Sequence, residues 1–270
     1  MSVFRNPVQR TSSLEHAAPA STHHRAQRDF EVPRPIEIQR ELPGNSFTAV
    51  AIVASQRSER AARILNVTIA ASALIVLLPV IVAVAIAIKL TSPGPIFYRQ
   101  TRIGVDRRRR RSMAALYDRR TRDLGGIPFA IYKFRSMRAD AERTTGAVWA
   151  AKGDPRVTPV GRLIRKTRLD EVPQLLNVIK GDMNIVGPRP ERPSIFADLS
   201  QRIEKYPVRQ LARPGITGWA QVNRSYDSCL DDVRLKVQYD LEYIQRQSVL
   251  EDLKIMLKTV PVVLGAEKGW

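Results

Sequence analysis

The sequence predicts an α+β protein, mainly helical, in which a re-entrant membrane helix–break–helix precedes a small cytoplasmic domain with interfacial amphipathic helices. Three observations predict this. Residues 64–88 run for 25 positions without a charge, and about 20 apolar residues are enough to cross a bilayer. Basic residues flank that run on both sides, and a proline lies inside it. Beyond residue 127, short alternating and helical apolar patterns follow one another at the spacing of a compact domain.

The chain of 270 residues divides accordingly into a tail over residues 1–60, a membrane-embedded segment over 61–90 and a cytoplasmic domain over 91–270. The tail mixes Pro, Ser, Thr, Arg and Glu with no sustained apolar period, which predicts disorder. It shows no apolar stretch of the kind a secretory signal needs. All three histidines, His16, His23 and His24, fall within it. A folded part without histidine has no Ser-His-Asp triad, no histidine base and no histidine-ligated metal. A single cysteine, Cys229, excludes a disulfide framework and a cysteine-rich zinc site.

The uncharged run predicts a membrane-embedded helix, since a buried helix of a soluble protein is seldom so long and so uniformly aliphatic. Arg57, Arg60 and Arg63 precede it; Lys89, Arg99, Arg102 and Arg107 to Arg111 follow. Lys and Arg collect on the cytoplasmic side of membrane segments. Pro79 removes a helical hydrogen bond inside the run. A segment that enters, turns near Pro79 and leaves on the same face accounts for both features; a straight single span is the alternative, since the stronger charge bias lies after the segment.

Lys and Arg total 44 against 26 Asp and Glu, a formal net charge of +18. Such a balance calls for an anionic partner: nucleic acid, an acidic membrane surface or a phosphorylated substrate. Thirteen of the basic residues lie between Lys89 and Arg135, against three acidic ones. Beside a membrane segment, this patch and the run Arg107 to Arg111 read as attraction to an anionic lipid bilayer. Nucleic acid is disfavoured, because aromatic residues are sparse and no DNA- or RNA-binding motif accompanies the charge.

In the domain, PFAIYKFRSM (128–137) alternates and predicts a strand. GRLIRKTRLD (161–170) sets Leu163, Ile164 and Thr167 at helical spacing. EVPQLLNVIKGD (171–182) predicts a helix with Pro173 in its first turn, Leu175, Leu176 and Ile179 on one face, and Gly181 as its stop. Asp170 then lies at or beside that helix's N-terminus. Alone, it would read as an N-cap. Its company points elsewhere: Glu171 is adjacent, Arg162, Arg165, Lys166 and Arg168 lie just upstream, and Arg189 sits between Pro188 and Pro190. A carboxylate pair beside a helix end and several guanidiniums suits phosphate chemistry. The arginines can bind anionic oxygens, and the carboxylates can hold Mg²⁺ or attack phosphorus. NIVGPRP (184–190) predicts a strand end and a rigid turn, and RPGITGW (213–219) a second rigid loop. Neither an Asp-x-Asp metal motif nor a GxxxxGK[ST] phosphate loop occurs. From Tyr239 to Leu264 the pattern reads as two amphipathic helices, with Leu253, Met256, Leu257 and Val260 on one stripe suited to a core or to a membrane interface.

KLTSPGPIFYRQTRIG (89–104), YKFRSM (132–137), DPRVTPVGRLIRKTRLDEVPQLLNVIKGDMNIVGPRPERP (154–193) and RPGITGWAQVN (213–223) together resemble the bacterial sugar transferase family. Its members are monotopic phosphoglycosyltransferases, here of the compact exopolysaccharide-initiating type, and the resemblance covers roughly residues 60–270. It implies transfer of a sugar-1-phosphate from a UDP-sugar to undecaprenyl phosphate with release of UMP, at the cytoplasmic face of the bacterial inner membrane. By the same resemblance Asp170 is the nucleophile that forms an aspartyl-phosphosugar intermediate, with Mg²⁺ bound beside it. Glu171 would position Asp170 or assist proton transfer. Lys133, Arg135, Arg168 and Arg189 would hold phosphate oxygens. The turn Pro188–Pro190 would also contact the uridine, and Pro79 would break the membrane helix.

Two departures from the family stand out. Residues 105–126 form an insertion that carries the arginine run, and residues 1–63 stand as a tail where some members have a multi-span domain. A homodimer and polysaccharide-assembly proteins are compatible further partners. The competing reading is a basic membrane-anchored adaptor that binds anionic lipid or an assembly partner.

Overall fold

In a computed structural model the described residues are 58–106, 125–141, 154–224 and 229–263. Almost the whole predicted tail, the run Arg107 to Arg111 and most of the insertion lie outside them. The first element, α1, is a helix from Glu59 to Thr91, beginning two residues before the predicted segment 61–90. Ser58 is the reason: its side chain accepts a hydrogen bond from the Ala61 N–H, the usual N-cap arrangement. Glu59 in the first turn and Lys89 in the last complement the helix dipole.

Helical hydrogen bonding runs through Pro79, so the predicted helix–break–helix is a single helix in secondary structure. A proline deletes one N–H bond without ending a helix whose other bonds persist. Among the described residues α1 is the one helix long and apolar enough to cross a membrane. Both of its ends dock on the same body. Near the start Ala62, Asn66 and Ala70 are buried at four-residue spacing. There the Arg63 guanidinium donates to the carbonyls of Val178 and Ile179, and the Asn66 side chain accepts from the Ile185 N–H. Near the end Val84 and Ile88 pack with Phe134 and Ile164. Residues 71–83 contain no buried position, and Ile75 and Val76 are each 74% exposed.

Strands β1 (Phe97–Ile103) and β2 (Pro128–Phe134) form an antiparallel pair, with Phe97 opposite Phe134 and Ile103 opposite Pro128. α2 (Pro159–Lys166) follows, capped by the Thr158 hydroxyl, with Ile164 buried and Leu163 exposed. A 3₁₀ turn (Leu169–Glu171) leads to α3 (Gln174–Lys180), which Gly181 ends in the left-handed conformation as expected. The buried face of α3 is not the predicted leucine face. Gln174, Asn177 and Val178 point inward, while Leu176 and Ile179 are exposed. Asn177 is drawn in by hydrogen bonding: it accepts from the Tyr132 N–H and donates to the Ala130 carbonyl. It thus satisfies an edge of β2 that has no neighbouring strand.

β3 (Asn184–Val186) pairs in parallel with β4 (Gly215–Thr217). Their crossover contains α4 (Pro193–Arg202) and a 3₁₀ segment (Tyr206–Leu211). Short α5 (Trp219–Asn223), α6 (Leu230–Arg246) and α7 (Val249–Val263) complete the body. The main core joins Ile103, Val186, Phe196, Tyr206, Val237, Tyr243, Ile244 and Ile255. α6 starts nine residues before the predicted Tyr239, with Asp232 and Cys229 forming a capping box. The predicted stripe on α7 divides: Met256 packs on the core with Ile255, whereas Leu253, Leu257 and Val260 are exposed, Leu257 by 73%. The described fold is therefore mainly helical with two small two-stranded sheets, in keeping with the predicted α+β class.

Candidate active site

Asp170 and Glu171 occupy the 3₁₀ turn between α2 and α3, and both are buried. Arg168, just before the turn, has φ of 58° and is the one non-glycine described residue with positive φ. A left-handed arginine costs energy that its surroundings must offset, and such strain gathers at functional sites. Here it reverses the chain after α2, so that two adjacent carboxylates face one cavity.

Glu171 is the hub of the site. Its Oε1 accepts from Lys133 Nζ at 2.7 Å and from Arg189 Nη2 at 2.6 Å, and its Oε2 accepts from Arg189 Nη1 at 3.4 Å. Lys133 comes from β2 and Arg189 from the turn after β3, so one carboxylate ties three segments together. Burial alone would push Glu171 up, but Arg189 and then Lys133 hold it well below the usual carboxylate range. Glu171 is consequently ionised and already bonded.

Asp170 differs. Burial raises its pKa, with Lys133 opposing, and no hydrogen bond to its carboxylate is found among the described residues. It lines a cavity of about 970 Å³ together with Lys133, Arg168 and Arg189. Eleven lysines and arginines line that cavity against three carboxylates, Asp170, Glu171 and Glu191. A cavity so weighted suits an anion with several phosphate oxygens.

The turn bearing Arg189 is held through its own carbonyls. Pro188 O accepts from the Gly215 N–H at 3.0 Å, Arg189 O from Arg209 Nη2 at 3.0 Å, and Pro190 O from Arg102 Nη1 at 3.1 Å. The turn packs on the RPG loop with backbone against backbone. A Cβ on Gly187 would lie 2.2 Å from Arg213 O, and one on Gly215 would lie 2.1 Å from Gly187 N, so neither position admits a side chain. Arg209 is buried and pairs with Asp240 on α6, its Nε 2.6 Å from Oδ2. Sequence reasoning missed Arg209, Asp240 and the positioning work of Arg102. A guanidinium bonded to a carboxylate 31 positions away leaves no local pattern.

Of the predicted basic residues, Lys133, Arg168 and Arg189 face the cavity with the dyad. Arg135 also borders it, yet its guanidinium turns to the chain. Nη1 donates to Pro93 O at 2.8 Å, and Nη2 donates to Ser92 O and Ser92 Oγ at 2.7 Å each. It clamps the loop after α1 to the end of β2. Arg135→Lys is therefore expected to lower unfolding stability by about 1–3 kcal/mol, the range for lost buried hydrogen bonds, with a smaller effect on donor KM. Thermal unfolding beside donor titration checks this. A KM rise with unchanged stability would return Arg135 to phosphate binding.

No cluster of three or more carboxylate, histidine or cysteine side chains occurs among the described residues. With Glu171 engaged, Asp170 is the free carboxylate at the cavity. That donor set fits Mg²⁺, which commonly takes one or two carboxylates and fills its other positions with substrate phosphates and water.

Comparison with known proteins points to one family. The chain is 42% identical over 186 residues to a UDP-N-acetylgalactosamine-undecaprenyl-phosphate N-acetylgalactosaminephosphotransferase of Aeromonas hydrophila, covering 69% of this chain and 39% of that protein. It is 41% identical over 197 residues to the UDP-glucose:undecaprenyl-phosphate glucose-1-phosphate transferase of Escherichia coli (strain K12), covering 72% and 38%. A protein of the same name from Caulobacter vibrioides (strain ATCC 19089 / CIP 103742 / CB 15) is 41% identical over 210 residues, covering 77% and 71%. The chain thus spans about two fifths of the length of the first two. A match to the bacterial sugar transferase family runs over residues 57–266, from the start of α1 past the end of α7, and the chain belongs to that family.

Proposed function

We propose that this protein transfers a sugar-1-phosphate from a UDP-sugar to undecaprenyl phosphate, releasing UMP, as the initiating step of an exopolysaccharide or other surface glycan. The observation that carries the reading is the unbonded, buried Asp170 carboxylate beside a Glu171 already neutralised by Lys133 and Arg189. A carboxylate kept free of hydrogen bonds is available as a nucleophile.

An Asp170 Oδ attacks the phosphorus that bears the sugar. The Asp–O–P bond forms as the P–O bond to UMP breaks, and UMP leaves with that electron pair. An oxygen of the lipid phosphate then attacks the same phosphorus, the Asp–O–P bond breaks, and Asp170 recovers its carboxylate as the lipid diphosphate sugar departs. Glu171, ionised between two cations, is suited to positioning rather than to accepting a proton. It holds Lys133 and Arg189 where they meet phosphate oxygens, and the Arg168 guanidinium adds charge from the turn. Asp170 is the residue that would hold Mg²⁺, and the ion would supply positive charge against the transferring phosphoryl group.

α1 supports a re-entrant course with both flanks at the cytoplasmic face of the inner membrane. Its two ends dock on one body while residues 71–83 carry no buried position. A soluble dianionic donor and a membrane-bound acceptor can meet at such a site.

The test is detergent-solubilised full-length protein with Mg²⁺, undecaprenyl phosphate and UDP-sugars, including UDP-glucose and UDP-N-acetylgalactosamine. UMP release with one donor is expected. UDP in place of UMP would mean ordinary glycosyl transfer and would sink the mechanism.

A further inference from the structure

Glu191 is the third carboxylate at the cavity, and the chemistry above gives it no task. It follows Arg189 and Pro190 on the same turn, and its carbonyl accepts from the Ile103 N–H at 2.9 Å. Its side chain is 13% exposed and lies beside Arg102 of β1 and Lys236 of α6, both cavity residues themselves. Yet it closes on neither. Oε1 is 3.4 Å from Lys236 Nζ and Oε2 is 3.8 Å from Arg102 Nη1, where a charge-assisted bond measures about 2.7–2.9 Å. The Arg102 guanidinium is spent elsewhere, on Pro190 O and on Gln100 Oε1. Glu171 and Asp240, by contrast, meet their arginines at 2.6 Å. Burial pushes Glu191 up, but Lys236, then Arg209 and Arg102, outweigh it and hold the group below the usual carboxylate range. It is an ionised carboxylate with acceptor capacity unspent on both oxygens.

An acceptor of that kind in a cationic cavity discriminates among the parts of a nucleotide sugar. Ionised phosphate oxygens have no hydrogen to give, and the carboxylate repels them. Uracil offers a single N–H. A vicinal diol offers two O–H groups, one for each oxygen, and hydroxyl bonds to a carboxylate are short and strong. We infer that Glu191 accepts a vicinal diol of the UDP-sugar, on the ribose or on the hexose, and so orients the donor while Arg189 on the same turn meets its phosphates. This rests on the phosphotransfer reading and adds a specificity residue to it. A donor without the hydroxyl would leave Glu191 desolvated and unbonded, which is how a polar site rejects the wrong substrate.

UMP release by full-length protein is followed with undecaprenyl phosphate and the active UDP-sugar, and with analogues that lack one ribose hydroxyl or one hexose hydroxyl. Glu191→Gln is expected to raise the donor KM at least about tenfold, the low end for a hydrogen bond to a charged group. The KM for undecaprenyl phosphate and the melting temperature should hold. One analogue should lose at least about tenfold in kcat/KM on the parent protein and at most about twofold on Glu191→Gln, the non-additivity of a direct contact. A ribose analogue that behaves so puts the diol on the nucleoside, and a hexose analogue puts it on the transferred sugar. Equal losses on both proteins for every analogue, or a Glu191-dependent loss solely with an N-methylated uracil, overturn the inference. So does a lower melting temperature with equal losses for both substrates, which would make Glu191 structural. Glu191→Asp keeps the charge one methylene further back and should also raise the donor KM; recovery of the parent value would reduce the group to a charge in an ion-pair network. Donor affinity is measured separately, by calorimetry on Asp170→Asn protein, which cannot turn over. Equal affinity with and without Glu191→Gln refutes this inference, whereas no UMP from the unmodified protein with any donor sinks the phosphotransfer reading itself.

Discussion

Asp170→Asn is expected to abolish UMP release, by at least about a thousandfold, the scale on which loss of a covalent nucleophile is felt. Asparagine keeps the shape of aspartate but cannot form an acyl phosphate, so protein labelling from the donor should vanish as well. Folding should be untouched. In the folded state burial raises the pKa of Asp170, which means that the ionised form is disfavoured there relative to the unfolded chain. That penalty is present once the pH exceeds the ordinary carboxylate range, and it disappears when the charge is removed. At pH 7 the asparagine variant should therefore melt at the same temperature as the parent or slightly above it. A variant that loses activity together with stability would show that Asp170 is a structural carboxylate.

The second large effect concerns a pair far from the nucleophile in sequence. Arg209→Met is expected to cost about 3–5 kcal/mol, because it leaves the Asp240 carboxylate buried without its cation. Asp240→Leu should cost a comparable amount for the converse reason. Combining the two removes both charges, and much of the stability should return, since apolar pairs replace buried ion pairs at little cost. Activity should not return. Arg209 also donates to the Arg189 carbonyl, and without it the turn that aims Arg189 at Glu171 loses one of its three backbone restraints. Urea midpoints and donor-dependent UMP release on the two single variants and the double variant check this. Recovery of stability and activity together would reduce Arg209 to a packing element.

These two residues mark the boundary of what the sequence makes legible. Asp170, Glu171 and Arg189 are readable because local chemistry announces them: paired carboxylates near a helix start, and an arginine stiffened by prolines on both sides. The Glu171 bridge to Lys133 joins residues 38 positions apart, and only a resemblance to known relatives could bring Lys133 into the site beforehand. Arg209 and Asp240 stand in unremarkable polar stretches, and their importance arises from burial that no short window encodes. α1 is legible from its uniform aliphatic run, yet its first turns defy the pattern. Asn66 belongs there because β3 needs an acceptor for the Ile185 N–H, a demand written elsewhere in the chain. The leucines of α3 mislead for the same reason, since Asn177 must face inward to complete β2. The family resemblance sets Arg135 among the phosphate ligands, while its carbonyl partners at Ser92 and Pro93 depend on where α1 ends, which no short window encodes.

The docking of both ends of α1 bears on how the protein can be dissected. A membrane anchor is often a tether that can be cut away to release a soluble enzyme. Here a fragment beginning after Thr91 would strip the Ile185 N–H of its acceptor and uncover Met183, Phe134 and Ile164. It would also release the Val178 and Ile179 carbonyls from Arg63. α1 is a structural wall of the body on which both its ends dock, so solubility would have to be engineered on the exposed stretch around Pro79 while both ends of the helix are kept.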